Sequence, residues 1–161
     1  INNNVKIVYD GKSKKPSMKV TYKKTTLKEG KDYSVTYGEN KKSGKGTITL
    51  YGMGNFTGIK SATFKIYPSK VTGEKVTKNT TSTLTLSWKK QDGVSGYRIY
   101  RATSSNGKYT YIGSTSSKVN TYTDKRLTRN KTYYYKIRAY KNLNNEKLYG
   151  DYSKVLKAKT K

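Results

Sequence analysis

The sequence predicts an all-β chain, with two tandem small β-sandwich domains. Three observations predict this fold class. No segment of useful length has helical periodicity, and short runs of alternating apolar and polar residues occur instead. Clusters of Gly, Asn, Asp and Ser separate these runs. The runs recur about every ten residues, a spacing that is typical of sandwiches.

The first half of the chain contains four candidate strands. Their β-branched and aromatic residues favour a pleated surface that is buried on one side. Glycines separate them, for example Gly30, Gly38, Gly52, Gly54 and Gly58, where turns need a positive φ or a close backbone approach. The candidate strands are 18–23, 33–37, 46–51 and 63–67.

A domain boundary is predicted at Pro68, directly after the strand-like run Ala62-Thr-Phe-Lys-Ile-Tyr67. Proline has no backbone N–H and so cannot donate to a sheet. The predicted organisation is a first β domain at 1–67, a short linker at 68–70 and a second domain at 71–161. Because the chain begins at Ile1 and not at Met, we expect it to be part of a longer protein.

The second half contains seven candidate strands, again separated by turn residues. In one of them, every second residue is predicted to point inward, because side chains on a strand alternate between its two faces. These inward residues are Tyr133, Tyr135, Ile137 and Ala139. The candidate strands are 75–78, 83–89, 96–102, 109–114, 121–123, 132–141 and 154–160.

The motifs of the second half resemble those of a fibronectin type III domain over about residues 69–161. Trp88 closes the run Leu84-Thr-Leu-Ser-Trp88, Gly96-Tyr-Arg-Ile-Tyr-Arg101 follows, and Leu127 precedes Tyr133 by six positions. The resemblance implies that Trp88 is the core tryptophan of the second strand and that Tyr97 points inward on the third. It also implies a corner at Leu127 and Tyr133, whose hydroxyl caps the turn.

This chain departs from the family pattern inside the predicted corner. The family usually has Pro-Gly where this sequence has Arg129-Asn130. Asn tolerates the left-handed conformation that such a turn requires.

An outward-facing patch is predicted on the strands that contain Tyr97 and Tyr133. The side chains that alternate with the inward ones would share one sheet face. Cation–π and cross-strand aromatic pairs could simply stabilise that face. Alternatively, it could be a platform on which tyrosines stack against sugars or bases while cations meet phosphate. The residues are Arg98, Tyr100, Tyr134, Lys136, Arg138 and Tyr140.

The first half resembles the small immunoglobulin-like, YDG- or MBG-type repeats on secreted proteins of Gram-positive bacteria. The resemblance covers about residues 4–67. It rests on Tyr9-Asp-Gly11, Gly30-Lys-Asp-Tyr33, the start Gly44-Lys-Gly-Thr47 and the closing turn Gly54-Asn-Phe-Thr-Gly58. It implies an extracellular or cell-surface location, and nothing in it marks a catalytic role.

The charge is strongly positive and is distributed along the whole chain. The net charge is +26, with +10 in residues 1–68 and +16 in residues 69–161. A field of this size attracts polyanions without specifying a fold. Codon composition could also enrich Lys, Asn and Tyr, but it would enrich Glu as well, and Glu is scarce here.

The composition argues against most catalytic chemistry. The chain has no His and no Cys, which removes histidine-based triads, thiol nucleophiles and thiolate zinc sites. Its nine carboxylates are scattered and form no calcium loop. We therefore expect no enzyme, no cofactor and no metal site. No apolar run is long enough to span a membrane.

The leading hypothesis is a non-catalytic accessory or spacer region of a secreted or surface-attached bacterial protein. Its positive charge would hold it to an anionic cell-wall polymer such as teichoic acid. The alternative is a specific module that binds a glycan or a host protein with the Tyr/Lys/Arg sheet face. Nucleic acid would bind only nonspecifically, because no recognition motif is present.

Overall fold

The computed structural model describes residues 6–161, and within that range it contains strands and no helix. This confirms the predicted all-β class. The chain divides into two compact units, 1–67 and 68–161. The predicted first domain began at residue 1, and its first five residues lie outside the described part of the chain.

Six strands belong to the first unit and eight to the second. They are β1 Ile7–Val8, β2 Thr21–Tyr22, β3 Thr25–Thr26, β4 Tyr33–Tyr37, β5 Gly44–Gly52, β6 Ile59–Tyr67, β7 Lys75–Asn79, β8 Leu84–Ser87, β9 Gly96–Ala102, β10 Thr110–Ser116, β11 Thr121–Asp124, β12 Thr132–Leu143, β13 Glu146–Tyr149 and β14 Leu156–Lys159.

The first unit is built on one four-stranded sheet. Its strand order is β1-β6-β5-β4, in which β1 runs parallel to β6 and the other pairs are antiparallel. The two-residue strands β2 and β3 form a separate ribbon. The predicted strand at 18–23 is thus reduced to β2, because residues 18–20 pair with no strand of the described chain.

The core of the first unit is small. Ile48, Phe64 and Ile66 are buried, and partly buried residues such as Met18 and Val35 pack against them. A Cβ at Gly46 would collide with the Phe64 ring, so glycine lets that ring lie directly on β5. This unit therefore depends on close backbone approach as well as on apolar burial.

The second unit is a sandwich of a five-stranded and a three-stranded sheet. The larger sheet has the order β10-β9-β12-β13, and β14 also pairs with β12; the smaller has the order β11-β8-β7. Its core holds thirteen buried residues, with Tyr97, Ile99, Tyr135 and Ile137 fully buried at its centre. The inward alternation predicted for β12 is confirmed, because every second residue from Tyr133 to Ala139 is buried.

The four residues with predicted structural roles are all buried in this sandwich. Trp88 packs edge-on against Tyr97, with ring centroids 5.3 Å apart. The Thr128 amide donates a 2.9 Å hydrogen bond to the Tyr133 hydroxyl, which closes the corner beside buried Leu127. Asn130 has a φ of 55°, the left-handed conformation expected where the family pattern has Pro-Gly.

Two features of the second unit differ from the expectation. Residues 68–70, predicted as a linker, are part of the unit: Pro68 is fully buried, and the Gln91 side-chain amide donates to the carbonyls of Ser69 and Lys70. Strand β13 was not predicted. It returns antiparallel to β12 after a turn in which Asn144 has a φ of 51°.

Candidate functional site

The predicted patch lies on one face of the five-stranded sheet. In the register of β9 and β12, Arg98 is opposite Arg138, and Tyr100 is opposite Lys136. Tyr140 is opposite Gly96, and Tyr134 is opposite Ala102. The six residues predicted for the candidate face therefore do share one face, but they are not equally accessible.

Tyr100 is the main correction to the predicted patch. It points outward from the sheet as expected, yet only 7% of its surface is exposed. Tyr111 and Tyr152 pack edge-on against its ring, with centroid distances of 5.8 and 5.2 Å. Tyr100 is thus the covered centre of an aromatic cluster, and it cannot stack on a ligand in this arrangement.

Arg138 is held by tyrosines on several sides. Its guanidinium lies 4.0 Å from the Tyr149 ring centroid, 4.7 Å from that of Tyr152 and 5.1 Å from that of Tyr100. Its Nη2 and Nε atoms also donate to the Tyr100 hydroxyl at 2.7 and 3.1 Å. Cation–π contact and charge-assisted hydrogen bonding therefore fix this side chain in place.

Arg98 stands next to Arg138 and shares one of its rings. Its guanidinium lies 5.0 Å from the Tyr111 centroid and 5.2 Å from that of Tyr149. Burial works to lower the pKa of Arg98, but a hydrogen bond with Tyr100 and the nearby tyrosines raise it above the ordinary value. The two arginines are directly opposite each other, so their charges repel. The Tyr149 ring, which both guanidinium groups contact, offsets part of that repulsion.

We call this group the arginine–tyrosine cluster. Half of it was not predicted, because Tyr111 lies on β10, Tyr149 on the unpredicted strand β13 and Tyr152 in the segment before β14. The turn pair Asn144-Asn145 after the Leu143 end of β12 was the sequence signal that could have revealed the β12–β13 hairpin. The cluster consists of Arg98, Tyr100, Tyr111, Arg138, Tyr149 and Tyr152.

The remaining predicted residues flank the cluster and are half-buried. The Lys136 ammonium lies 4.1 Å from the Tyr109 ring centroid. Tyr140 has a tilted contact with Tyr149 at 6.3 Å, and Lys147 approaches the Tyr140 ring at 5.8 Å. Each of these cations already has an aromatic neighbour within the protein. The face is therefore mainly an internally satisfied ladder of cations and rings.

Two tyrosines of the cluster remain accessible from outside. Tyr111 is 51% exposed and Tyr152 is 38% exposed. Burial raises the pKa of the Tyr152 hydroxyl, while the Arg138 charge acts in the opposite direction. These rings, and not Tyr100, are the surface that a ligand would contact first.

A second polar network lies inside the same sandwich and was not predicted. Arg101 forms an ion pair with the buried Asp124 carboxylate at 3.0 Å, and the Tyr135 hydroxyl donates to that carboxylate at 2.8 Å. Burial and this hydrogen bond to Asp124 raise the pKa of Tyr135 far above its ordinary value. The network joins β9, β11 and β12, so its role is to connect the two sheets.

Two other kinds of site can be checked directly in the described residues. Residues 6–161 contain no group of three His, Cys, Asp or Glu side chains that could hold a metal ion. No helix in that part of the chain is long and apolar enough to cross a membrane. The arrangement supports contact with anions or with flat ring surfaces.

Comparison with known proteins identifies the second unit. The family described as the fibronectin type III domain matches residues 69–155. Among curated proteins, none matches this sequence.

Several solved structures resemble the chain. A two-domain fibronectin type III segment of chicken tenascin is 17% identical over 73% of this chain and 64% of its own, with a TM-score of 0.55. The FN1–FN3 domains of chicken CNTN1 are 17% identical over 74% of this chain, with a TM-score of 0.51. Domains from titin are 16% identical over 87% of this chain, with a TM-score of 0.50.

These solved structures share the fold, and this chain covers only part of the length of each. It spans 44% of the CNTN1 chain and 52% of the titin chain. At identities of 16–17% the likeness extends to the architecture alone. The sandwich predicted for the second half is confirmed, whereas the immunoglobulin-like repeat expected in the first half stays a prediction.

Proposed function

The chain belongs to the fibronectin type III family, and on that premise we propose that it is a non-catalytic accessory region that binds an anionic polymer. The domains of this family commonly serve as structural or binding modules. The proposed setting is a secreted or surface-attached bacterial protein. The proposed partner is an anionic cell-wall polymer of the teichoic acid type.

One observation carries the proposal: the positive charge is large and belongs to both units. The net charge is +26, divided into +10 and +16 at the boundary after Pro68. Thirty of the 35 basic residues are lysines. Lysine ammonium groups on flexible stems suit a mobile, repeating polyanion, because they need no fixed geometry.

The arginine–tyrosine cluster indicates that only part of the positive charge is available to a partner. Its two arginines and the flanking Lys136 already contact tyrosine rings of the same unit. Charge that is committed in this way stabilises the sandwich and is less available to a partner. The charge that remains for a polymer is therefore mostly that of the exposed lysines.

The test is sedimentation of the chain with isolated Gram-positive cell walls, intact or stripped of teichoic acid, over a series of salt concentrations. The proposal expects binding to intact walls, loss of binding on stripping, and weakening as salt screens the charges. If the chain sediments with neither preparation at physiological ionic strength, the polymer proposal is wrong and a plain spacer remains.

A second candidate is specific binding of a glycan or a host protein to the same sheet face. The observation that favours it is the exposure of Tyr111 and Tyr152 beside two guanidinium groups. Tyr100 is unsuitable for the test, because it is only 7% exposed and a ligand cannot stack on its ring. The double substitution Tyr111→Ala and Tyr152→Ala should abolish binding through stacking, but it should leave binding driven by net charge nearly unchanged.

A further inference from the structure

A basic loop in the first unit surrounds a small open cleft. The loop leads from β4 into β5 and has the sequence Glu39-Asn-Lys-Lys-Ser-Gly-Lys-Gly-Thr47. Its side chains line a cleft of about 250 Å³. The residues that line it are Glu39, Asn40, Lys41, Lys42, Ser43, Lys45 and Thr47.

Ser43 is the unusual residue of this cleft. It is only 4% exposed, and its hydroxyl oxygen has no hydrogen-bond partner among the described residues. A buried hydroxyl without a partner destabilises the folded state, so native proteins usually satisfy such groups. Ser43 also lines the basic cleft, so a hydrogen-bonding ligand held there is a candidate partner for its hydroxyl.

Asn40 holds the loop in shape. Its side-chain amide donates to the carbonyls of Lys14 and Thr47, and its carbonyl oxygen accepts from the Thr47 amide at 2.9 Å. Its φ of 47° makes the turn that directs the chain into the lysine pair. Two of these hydrogen bonds close the loop on itself and the third fastens it to Lys14, so the loop is held in one conformation before any ligand arrives.

The charge of the cleft is suited to an anion. Lys41, Lys42 and Lys45 are exposed around it, against the single carboxylate of Glu39. An anion bound in the cleft would meet these three lysines.

We propose that this cleft, the lysine loop site, binds the phosphate group of an anionic polymer. Phosphate oxygens accept several hydrogen bonds, including one from the Ser43 hydroxyl, while the three ammonium groups neutralise the charge. The inference rests on the proposed function, for which it supplies a local contact point and the chemical class recognised there.

The experiment uses the full chain and inorganic phosphate as the probe, with chloride at matched ionic strength as the reference. Amide shifts in ¹H–¹⁵N NMR spectra report the site directly. Residues 41–45 should shift with phosphate and not with chloride. The double variant Lys41→Ala, Lys42→Ala should weaken the apparent affinity about tenfold or more. Ser43→Ala, which changes no charge, should weaken it about fivefold.

The matched control is the double variant Lys23→Ala, Lys24→Ala. These two lysines are also adjacent, exposed and in the first unit, so the variant loses the same charge. It should change the phosphate affinity by less than about twofold. Equal weakening by both double variants, or no selective shift in the loop, would overturn the site.

The two proposals fail in different ways. If the chain sediments with intact walls but its loop amides do not shift with phosphate, the polymer proposal stands and the lysine loop site is wrong. If the chain binds phosphate at the loop but does not sediment with cell walls, the lysine loop site stands and the proposed polymer partner is wrong.

Discussion

The arginine–tyrosine cluster of the second unit and the lysine loop site of the first use positive charge in opposite ways. In the cluster, Arg138 has three rings and the Tyr100 hydroxyl within contact distance. In the loop, three lysines are exposed around a buried Ser43 hydroxyl that has no partner within residues 6–161. One surface is satisfied from within the protein, and the other is not.

This difference explains why exposed tyrosines next to cations are weak grounds for assigning a binding site. The tyrosines and cations of β9 and β12 form the more conspicuous motif, yet the structure uses most of them to cover the sheet. The lysine loop is inconspicuous in the sequence, because lysine is common throughout the chain. What distinguishes the loop is the combination of exposed lysines with a buried hydroxyl that has no partner among the described residues, which only the packed structure reveals.

The largest effect should come from removing Arg138. Arg138→Ala removes two donors to the nearly buried Tyr100 hydroxyl and also removes the cation–π contacts. We expect the free energy of unfolding to fall by about 3 kcal/mol. Arg129→Ala removes the same charge from an exposed turn and should change it by less than about 0.5 kcal/mol. Urea denaturation measures both, and equal effects would refute the structural role of Arg138.

The next effect comes from the polar network around Asp124, with which Arg101 forms an ion pair. Tyr135→Phe removes the hydroxyl that donates to Asp124, and it should cost about 2 kcal/mol near neutral pH. The raised pKa of Tyr135 means that the folded state resists deprotonation, so this stabilisation is complete below pH 10 and is lost as pH rises beyond it.

The stability difference between the wild-type chain and Tyr135→Phe should therefore shrink as pH rises above 10. Thermal unfolding followed by circular dichroism between pH 8 and pH 11 measures this difference. A difference that stays constant across the range would show that the Tyr135 hydroxyl titrates alike in the folded and unfolded states.

A smaller loss should follow from Tyr100→Phe. The ring and its aromatic contacts remain, and the hydroxyl that accepts from Arg138 disappears. We expect a loss of about 1.5 kcal/mol, typical of a hydrogen bond to a charged group. Tyr111→Phe is the control, since this ring is half-exposed and its role is packing. Chemical denaturation should show a lower free energy of unfolding for Tyr100→Phe than for Tyr111→Phe. An unchanged free energy of unfolding in Tyr100→Phe would contradict the account.

The smallest effect has the opposite sign. Ser43→Ala removes a buried hydroxyl to which the described part of the chain offers no partner, so the free chain should become more stable by about 1 kcal/mol. The gain should disappear when phosphate is present, because the wild-type hydroxyl then has an acceptor. Thermal melts with and without phosphate measure it. Destabilisation without phosphate would show that the hydroxyl is already satisfied in the free chain.

Much of the second unit could be predicted from local sequence. The alternation of Tyr133, Tyr135, Ile137 and Ala139 identifies the inward face of β12, because successive side chains on a strand point to opposite faces. The spacing of Leu127 and Tyr133 likewise predicts the corner and its hydrogen bond. These features depend on residues that are close in the chain or on one repeated period.

The composition of the candidate site could not be predicted in the same way. Alternation places Tyr100 outward, but its burial depends on Tyr111 and Tyr152, which come from other segments of the chain. Short strands such as β13 carry too few residues to show a period. The unsatisfied Ser43 hydroxyl depends on the packing of a whole loop, so no periodicity reveals it.

The central claim is that lysine charge, and not the arginine–tyrosine cluster, binds the polymer. Acetylation of the lysines tests it most directly against reductive dimethylation, because the first removes their charge and the second keeps it. Full acetylation leaves five arginines against nine carboxylates, a net charge of −4. With folding verified by circular dichroism, the dimethylated chain should still sediment with teichoic-acid-bearing walls, and the acetylated chain should not. Retained binding by the folded, acetylated chain would contradict the claim and assign the activity to the cluster.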